Sequence, residues 1–281
     1  MFNTVSKKLK LLSTTPPWEW PMDVDKILLS IITDKNTPFS DRLRGVDLAG
    51  ELSVINLELV QALQDIISSK DESYELRGAA ISSIGAILEE VSSANYLNEI
   101  TFIDSEEDLI KIEDLLEIRD LLHNIFNDTS EFDETRRRAL ESAVRTPEEW
   151  TKAAVEDAYK SSDVAWKVTA LYCMRYLPNF KEEVLAELTS INPEMKRYAV
   201  EAVAAHKFQE AWPKLKSIIL SEYSDKDLLD SAIYAAVKIK GSTDLLTELP
   251  ELNAPELKEI VLSSAALEDF SDTTTSDADK T

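Results

Sequence analysis

The sequence predicts an all-α protein, a solenoid of about seven helix pairs wound as a right-handed α-α superhelix. Three observations predict this fold class. The apolar residues are mostly Leu, Ile, Val and Ala at helical spacing. The 281 residues include only 5 Gly and 10 Pro, too few for the many turns of a sheet-rich fold. A short phrase of residues also returns along the chain at a nearly fixed interval.

The recurrent phrase is an apolar residue, then a basic one, then small or apolar residues three and seven positions later. Its clearest copy is Leu76-Arg77 with Ala80 and Ile84. The second slot falls at 44, 77, 137, 167, 196, 230 and 258, with steps of 33, 60, 30, 29, 34 and 28. A period near thirty residues is typical of a solenoid, in which each unit buries its apolar face against its neighbours. The double step from 77 to 137 predicts one period that carries an insertion.

The first predicted elements are a cap and two helix pairs. Residues 1–21 form the cap, whose helix over 4–13 ends at Pro16-Pro17 because proline fits poorly into a helix interior. Asp23 then caps a helix of apolar Ile and Leu residues before Asn36-Thr37-Pro38 turns the chain. The helices that follow are predicted at 40–52, 56–68, 73–91 and 107–127, with an irregular insertion at about 92–106.

From residue 133 onward, phrase-bearing helices alternate regularly with plain ones. They are predicted at 133–144, 148–160, 163–177, 181–190, 194–206, 209–222, 226–240, 243–249 and 255–268. Asp163, Asn192 and Asp225 stand just before helices, where such side chains satisfy exposed backbone N–H groups. The solenoid is therefore predicted over 22–268. Residues 269–281 have little apolar surface to bury and are predicted to form a disordered acidic tail.

Composition restricts the partners and the compartment. A net charge of −23 would repel nucleic acid, and the longest basic run, Arg136-Arg137-Arg138, is preceded by acidic residues. No run approaches the roughly 18 apolar residues of a membrane span, and nothing resembles a secretory signal. The single Cys173 excludes an internal disulfide and is predicted to be a buried small hydrophobe. We expect a soluble cytoplasmic protein that binds neither nucleic acid nor a membrane.

The phrase, its period and the alternation of helices resemble HEAT repeats of the armadillo-type fold, in particular the short HEAT-like units of bacterial proteins. The resemblance covers roughly residues 22–268, and the residues that match its pattern are Asp71, Leu76, Arg77, Ala80, Ile84 and Gly85. Later units lack the Gly and carry Lys167, Lys196 and Lys258 in place of Arg, while Asp230 inverts the charge. The resemblance implies a fold, but it specifies function poorly.

Enzymes that resemble this fold provide the alternative functions. Deoxyhypusine hydroxylases hold a di-iron centre with repeated His-Glu pairs, whereas this chain has only His123 and His206, in unlike contexts. HEAT-like DNA-base glycosylases use a basic concave face, and nothing marks the pocket of a bilin lyase-like protein. Common catalytic and cofactor motifs are also absent. No catalytic, metal-binding or cofactor-binding residue is assigned, and an enzyme of this kind or a structural subunit of a larger complex remains the alternative.

The predicted function is a non-catalytic scaffold or adaptor that binds a protein partner. Thirteen acidic residues against Lys111 and Arg119 lie between Glu99 and Glu134, which is either a solvated helix face or a docking surface for a basic partner. In HEAT-like folds the plain helices line the concave face. Their candidate partner-binding residues are Glu58, Gln61, Asp65, Glu113, Glu117, Asp120, Glu182, Glu183 and Glu187.

The tryptophans are divided between packing and binding. Trp150, Trp166 and Trp212 are predicted to pack between repeats because their neighbours are apolar. Trp18 and Trp20 lie in a proline-bounded segment, and alternate residues of an extended segment point the same way. Both rings are therefore predicted on one side, where they either cover the open end of the first repeat or form an aromatic clamp for a partner.

Overall fold

The computed structural model describes residues 2–51, 56–91, 110–221 and 225–276. Within these ranges every regular element is helical, with fifteen α-helices, short 3₁₀ turns and no strand. The helices are α1 (Phe2–Thr14), α2 (Val24–Thr33), α3 (Phe39–Leu48), α4 (Leu57–Ser68), α5 (Tyr74–Val91), α6 (Ile112–Asn127), α7 (Asp133–Ala143), α8 (Glu149–Lys160), α9 (Val164–Cys173), α10 (Lys181–Glu187), α11 (Pro193–His206), α12 (Trp212–Ser221), α13 (Lys226–Lys240), α14 (Ser242–Glu248) and α15 (Pro255–Ser276). The predicted all-α fold is confirmed.

The chain divides into two compact units, Met1–Thr151 and Lys152–Thr281. In the first unit, α3 packs on α5 and α5 packs on α7, while α2, α4 and α6 each pack on the phrase-bearing helix that follows. In the second unit, α9, α11, α13 and α15 stack in the same way, with α10 and α12 each packed on the next helix. Stacking of every second helix is the packing of a helical repeat protein.

Three arginines connect successive helices of the first unit. The Nε atoms of Arg42, Arg77 and Arg136 each donate to the carbonyl oxygen ten residues earlier, at distances of 3.1, 2.8 and 2.9 Å respectively. The acceptors are Ile32, Ile67 and Phe126, at or near the ends of α2, α4 and α6. Each bond therefore satisfies a carbonyl near a helix end, where intrahelical donors run out.

The same guanidinium groups bind carboxylates of the next repeat. Both terminal nitrogens of Arg42 donate to Glu72, at 2.9 and 2.8 Å, and those of Arg77 donate to Glu131, at 2.7 and 2.9 Å. Glu72 and Glu131 each lie five residues before the arginine of their own repeat. The Nη1 atom of Arg136 donates to Asp133 of its own helix at 3.1 Å.

This arrangement corrects the predicted repeat register at two positions. The arginines with equivalent contacts are Arg42 and Arg136, whereas the sequence phrase selected Arg44 and Arg137. Arg44 is exposed, and Arg137 pairs with Glu134 on its own helix. The sequence phrase selected the wrong arginine at these two positions because the groups that bind the correct one lie far away in the sequence.

Glycine and serine set the distance between stacked helices in the first unit. A Cβ atom on Gly50 would lie 3.0 Å from the Cα of Ser83, and one on Gly85 would lie 2.9 Å from the Cα of Ser142. The two serines use this proximity, since their Oγ atoms donate to the carbonyls of Val46 and Ile81 respectively, each at 2.8 Å. Gly85, one of the residues that match the HEAT-like pattern, is therefore required for close helix approach.

Some predicted boundaries differ from the observed ones. Helix α9 ends at Cys173 rather than at residue 177; residues 174–176 form turns, and a 3₁₀ turn begins at Pro178. Helix α15 continues to Ser276, so residues 269–276 of the predicted disordered tail are helical. Extending an established helix costs little compared with starting one. The predicted insertion at 92–106 and residues 277–281 lie outside the described residues.

Candidate interaction surfaces

Helix α6 presents the best-defined acidic surface of the first unit. Its buried residues Ile118, Leu122 and Ile125 lie on the side that faces the core, and the helix packs on α7. The carboxylate of Asp114 accepts the backbone N–H of Lys111 at 2.7 Å, which fixes the first turn. The opposite side of α6 is consequently held outward, toward solvent.

The exposed side of α6 combines acidic and apolar residues. Glu113, Glu117 and Asp120 are all exposed, as the sequence predicts. Ile112 and Leu116 on the same helix are 73% and 51% exposed. At about 100° per residue these five side chains occupy an arc of roughly 140°. We call these five residues the α6 surface.

Among the described residues, no cation pairs with the carboxylates of the α6 surface. Glu113, Glu117 and Asp120 form no ion pair with another described residue. Elsewhere the acids are often paired, for example Glu72 with Arg42 and Glu131 with Arg77. A surface of unpaired carboxylates beside two exposed aliphatic side chains suits a basic partner that also offers apolar contacts.

Helix α4 carries a second and weaker set of candidates. Glu58, Gln61 and Asp65 are exposed on this helix, which packs on α2 and α5. Asp65 also lines a cavity of about 310 Å³ that includes the Arg42–Glu72 pair. The apolar residues of α4 are largely buried, so its exposed side offers charge without the aliphatic contacts found on α6.

The candidates of the second unit are partly occupied by internal contacts. Glu182 is exposed, but Glu183 and Glu187 are only half-exposed. The Tyr159 hydroxyl donates to Glu187 at 2.9 Å. Burial, followed by this carboxylate, raises the pKa of Tyr159 to about 12. Glu187 therefore has a structural role in joining α8 to α10.

The prediction that Trp18 and Trp20 lie on one side is wrong. Trp18 lies inside a 3₁₀ turn formed by Pro17–Glu19, and Trp20 follows that turn, so the two residues do not share the extended segment that the prediction requires. The Trp20 ring packs against the core, and its Nε1 donates to the carbonyls of Thr15 and Leu12 at 2.9 and 3.1 Å. Trp18 is 82% exposed. Only Trp20 therefore covers the first repeat, and Trp18 remains a candidate contact for a partner.

The two histidines and the cysteine take part in packing. His123 stacks on Trp150 with ring centroids 4.4 Å apart, and Trp150 packs against the core as predicted. The His206 Nε2 atom lies 2.8 Å from the carbonyl oxygen of Met174, and Cys173 is buried. The described residues contain no group of three or more His, Cys, Asp or Glu side chains that could hold a metal ion.

Sequence reasoning missed the apolar part of the α6 surface. Ile112 and Leu116 are one helical turn apart, but they are out of phase with the buried series Ile118, Leu122 and Ile125. This second apolar stripe could have been recognised from the sequence, because a helix that packs on the core with one side needs only one apolar stripe. Counting acidic residues alone could not reveal it.

Comparisons with known proteins return structures but no family. No family model matches the chain, and no curated protein matches it. A solved engineered protein shares 15% identity at a TM-score of 0.42, over 78% of this chain and 97% of that one. Kap121p shares 13% identity at a TM-score of 0.42, over 94% of this chain and 31% of that one. Human deoxyhypusine hydroxylase shares 14% identity at a TM-score of 0.35, over 84% of this chain and 96% of that one.

These similarities are below 25% identity and below a TM-score of 0.5. They carry no information on function, since a shared fold does not fix what a protein does. Across the described residues, no helix is both long enough and apolar enough to cross a membrane.

Proposed function

We propose that this protein is a non-catalytic interaction scaffold that binds a basic protein partner through the α6 surface. The observation that carries the proposal is the set of three exposed carboxylates, Glu113, Glu117 and Asp120, which pair with no described cation. Carboxylates that pair with no described cation gain no ion-pair stabilisation, and here they increase self-repulsion in a chain of net charge −23. A basic partner would relieve that repulsion.

The aliphatic residues make the α6 surface more than a solvated helix face. A purely solubilising face has no use for Ile112 and Leu116, whose exposure costs free energy in water. Association would bury both of them beside charge pairs with the partner. Interfaces commonly combine an apolar centre with a polar rim in this way. The fitting partner is therefore a basic, amphipathic protein segment.

The test is a pull-down from the native cytosol with the tagged full-length protein and two sets of variants. The first set reverses the α6 carboxylates (Glu113→Lys, Glu117→Lys, Asp120→Lys). The matched control reverses exposed acids of the second unit (Asp244→Lys, Glu256→Lys, Glu259→Lys), which changes the net charge by the same amount. We expect a basic partner to be retained by wild type and the control, and lost by the α6 variant.

A third variant tests the apolar contribution. Leu116→Ser leaves all charges in place, so the proposal expects it to weaken retention of the same partner while circular dichroism stays unchanged. Retention should also fall as salt rises, because charge pairs are screened within about 8 Å at physiological ionic strength. Equal retention by the α6 variant and the control would show that the partner binds elsewhere.

A further inference from the structure

Helix α1 is a basic element of an acidic chain. Its sequence contains Lys7, Lys8 and Lys10 and no acidic residue, and Glu19 is the only acid among the first 22 residues. The three lysines are exposed, and they form no ion pair with another described residue. A local surplus of positive charge is therefore present at α1, although the net charge of the chain is −23.

The lysines of α1 surround one exposed leucine. At about 100° per residue, Lys10, Lys7, Leu11 and Lys8 follow one another across an arc of roughly 160°. Leu11 is 66% exposed, whereas the opposite side of the helix is buried in the core. We call these four residues the α1 surface. A partner that covers Leu11 gains apolar contact as well as charge pairs, because exposure of a leucine costs free energy in water.

Helix α1 is fixed in place by contacts within its own chain. Leu9 and Leu12 belong to the core, and the helix packs on α3. The Ser6 hydroxyl donates to the carboxylate of Asp41 on α3, with Oγ to oxygen distances of 2.9 and 2.7 Å. A surface that is held in this way loses little conformational freedom when a partner binds.

The α1 surface and the α6 surface are complementary in charge and in composition. The α1 surface presents three lysines around one leucine, and the α6 surface presents three carboxylates beside Ile112 and Leu116. Each surface covers a similar arc on one side of a helix. Opposite charges around apolar contacts steer association and determine which surfaces pair. The basic, amphipathic segment that fits α6 is therefore present in this same sequence.

The two surfaces belong to opposite ends of the helix stack of the first unit. Helix α1 packs on α3 and α6 packs on α7, while α5 packs on both α3 and α7. Neighbouring helix axes lie about 8–10 Å apart, so about 16–20 Å separates α3 from α7 across α5. Since α1 is fixed on α3, contact between the α1 surface and the α6 surface requires two copies of the chain.

We propose that the α6 surface of one copy binds the α1 surface of a second copy. This contact rests on the proposed function, because α1 of the second copy occupies the same α6 surface. The net charge of −23 opposes self-association, but charges farther apart than about 8 Å are largely screened at physiological ionic strength. The three positive and three negative charges next to the contact then favour binding. Because two different surfaces meet, each bound copy can add a further copy.

An anionic membrane fits the α1 surface less well than a protein does. Basic helices that lie on membranes bury an apolar face among the lipids. The apolar side of α1, with Leu9 and Leu12, is already buried in the core. Leu11 alone represents large apolar residues among the exposed side chains described for α1. An acidic protein surface that contains aliphatic residues satisfies both the lysines and this single leucine.

The test is sedimentation velocity of the untagged, purified full-length protein at concentrations of about 5–500 μM, since the contact of two helix faces is small. We expect wild type to associate reversibly as its concentration rises. The α6 variant defined above is compared with an α1 variant (Lys7→Glu, Lys8→Glu, Lys10→Glu). Each variant alone should associate at least about tenfold more weakly than wild type, because like charges then face each other. An equal mixture of the two should associate again, because the glutamates of one variant face the lysines of the other.

The second-unit control variant separates this contact from an effect of net charge. The α6 variant and the control both have a net charge of −17, whereas the α1 variant has −29. If net repulsion governed association, the α6 variant and the control would both associate more strongly than wild type. We expect a loss in the α6 variant and none in the control. Equal association of these two variants would overturn the proposal, as would a mixture of the α1 and α6 variants that stays monomeric.

Two further outcomes distinguish this contact from the proposed function. Wild type that stays monomeric while its α6 surface captures a basic protein from the cytosol would overturn the self-association alone. Wild type that stays monomeric and captures no basic protein would overturn the proposed function as well. Monomeric wild type that sediments with vesicles of phosphatidylserine and phosphatidylcholine, when the α1 variant does not, would assign the lysines to a membrane and overturn the proposal.

Discussion

At the scale of single residues, the arginines of the first unit show why a buried ion pair is also a vulnerable one. The side chains of Arg77 and Glu131 are each only 6% exposed. Removing charges from water is costly, and two-point bonding to the partner offsets that cost. Burial of either charged side chain is therefore tolerated only while the other is present to bind it.

Arg77→Ala is expected to destabilise the fold by about 3–5 kcal/mol, because it leaves the Glu131 carboxylate buried without its main partner. Urea denaturation measures the change in unfolding free energy. The control is Arg44→Ala on exposed Arg44, which should change stability by no more than about 0.5 kcal/mol. Replacing both Arg77 and Glu131 with Met should recover most of the loss, since no charge is then left unpaired. A double variant as unstable as Arg77→Ala would contradict this explanation.

The same pair predicts a dependence of stability on pH. The bond from Arg77 lowers the pKa of Glu131, and the bond from Arg42 lowers the pKa of Glu72, both below the ordinary value of 4.5. A lowered carboxylate pKa stabilises the fold above the unfolded-state value, and this contribution is lost as pH falls through the folded-state value. The stability advantage of wild type over Glu131→Gln should therefore be constant above about pH 5 and shrink below pH 4.5. Urea titrations at a series of pH values test this, and an advantage that grows on acidification would contradict it.

The sequence indicated that a basic residue recurs in each repeat, but it did not indicate which arginine makes the contacts between helices. Local spacing cannot choose between Arg42 and Arg44, or between Arg136 and Arg137, since each pair lies within a helical turn. The choice depends on a carbonyl ten residues back and, for Arg42, on a glutamate of the next repeat. Trp18 and Trp20 were misplaced for a related reason. The prolines correctly indicated the end of the first helix. The 3₁₀ turn that follows could not be predicted in the same way, because the hydrogen bond from Trp20 to the carbonyl of Thr15 is not visible in the sequence pattern.

At the scale of elements, helices were predicted well because apolar spacing and caps are local signals. Asp163, Asn192 and Asp225 all accept backbone N–H groups at helix starts, as the sequence predicts. The packing of one helix on another was harder to foresee. Gly85 matches the HEAT-like pattern, but the structural reason for a glycine there is the backbone of Ser142, which lies 57 residues away in the sequence.

Two glycines of α5 should respond in opposite ways to alanine. Gly85→Ala is expected to destabilise the fold by about 1–3 kcal/mol, because the added Cβ would lie within 3.0 Å of the Cα of Ser142. Gly78→Ala should instead stabilise it by about 0.5–1 kcal/mol, since the nearest side-chain atom, the Cγ of Arg138, is 3.8 Å away and alanine favours the helix. Thermal unfolding of both variants provides the comparison. A loss of stability in both would point to a general intolerance of α5 and not to close packing at Gly85.

At the scale of the whole molecule, net charge opposes folding while local pairs support it. Negative charges in a chain of net charge −23 repel one another, and the carboxylates of the α6 surface, which pair with no cation in the described ranges, add to that repulsion. The bonded pairs are sheltered by burial and are screened less than exposed charges. Neither effect could be assigned from composition alone, because composition does not tell which acids are paired.

Salt should therefore have opposite effects on stability and on binding. Raising the salt concentration from about 0.05 to 0.5 M is expected to increase the melting temperature by screening self-repulsion, and to weaken retention of a basic partner by screening attraction. Differential scanning fluorimetry and the pull-down, carried out in the same buffers, measure both. A melting temperature that falls with salt would mean that ion pairs outweigh repulsion in the net balance.

The arginine–glutamate bond also bears on how such a chain can grow during evolution. One repeat of the first unit carries both a glutamate that receives the arginine before it, Glu72 with Arg42, and an arginine that reaches the glutamate after it, Arg77 with Glu131. A tandem duplication of this unit in the gene would create a matching joint without any new mutation. In the second unit, Lys167, Lys196, Lys258 and Asp230 occupy the phrase, and lysine does not form the two-point bond that arginine makes to a carboxylate.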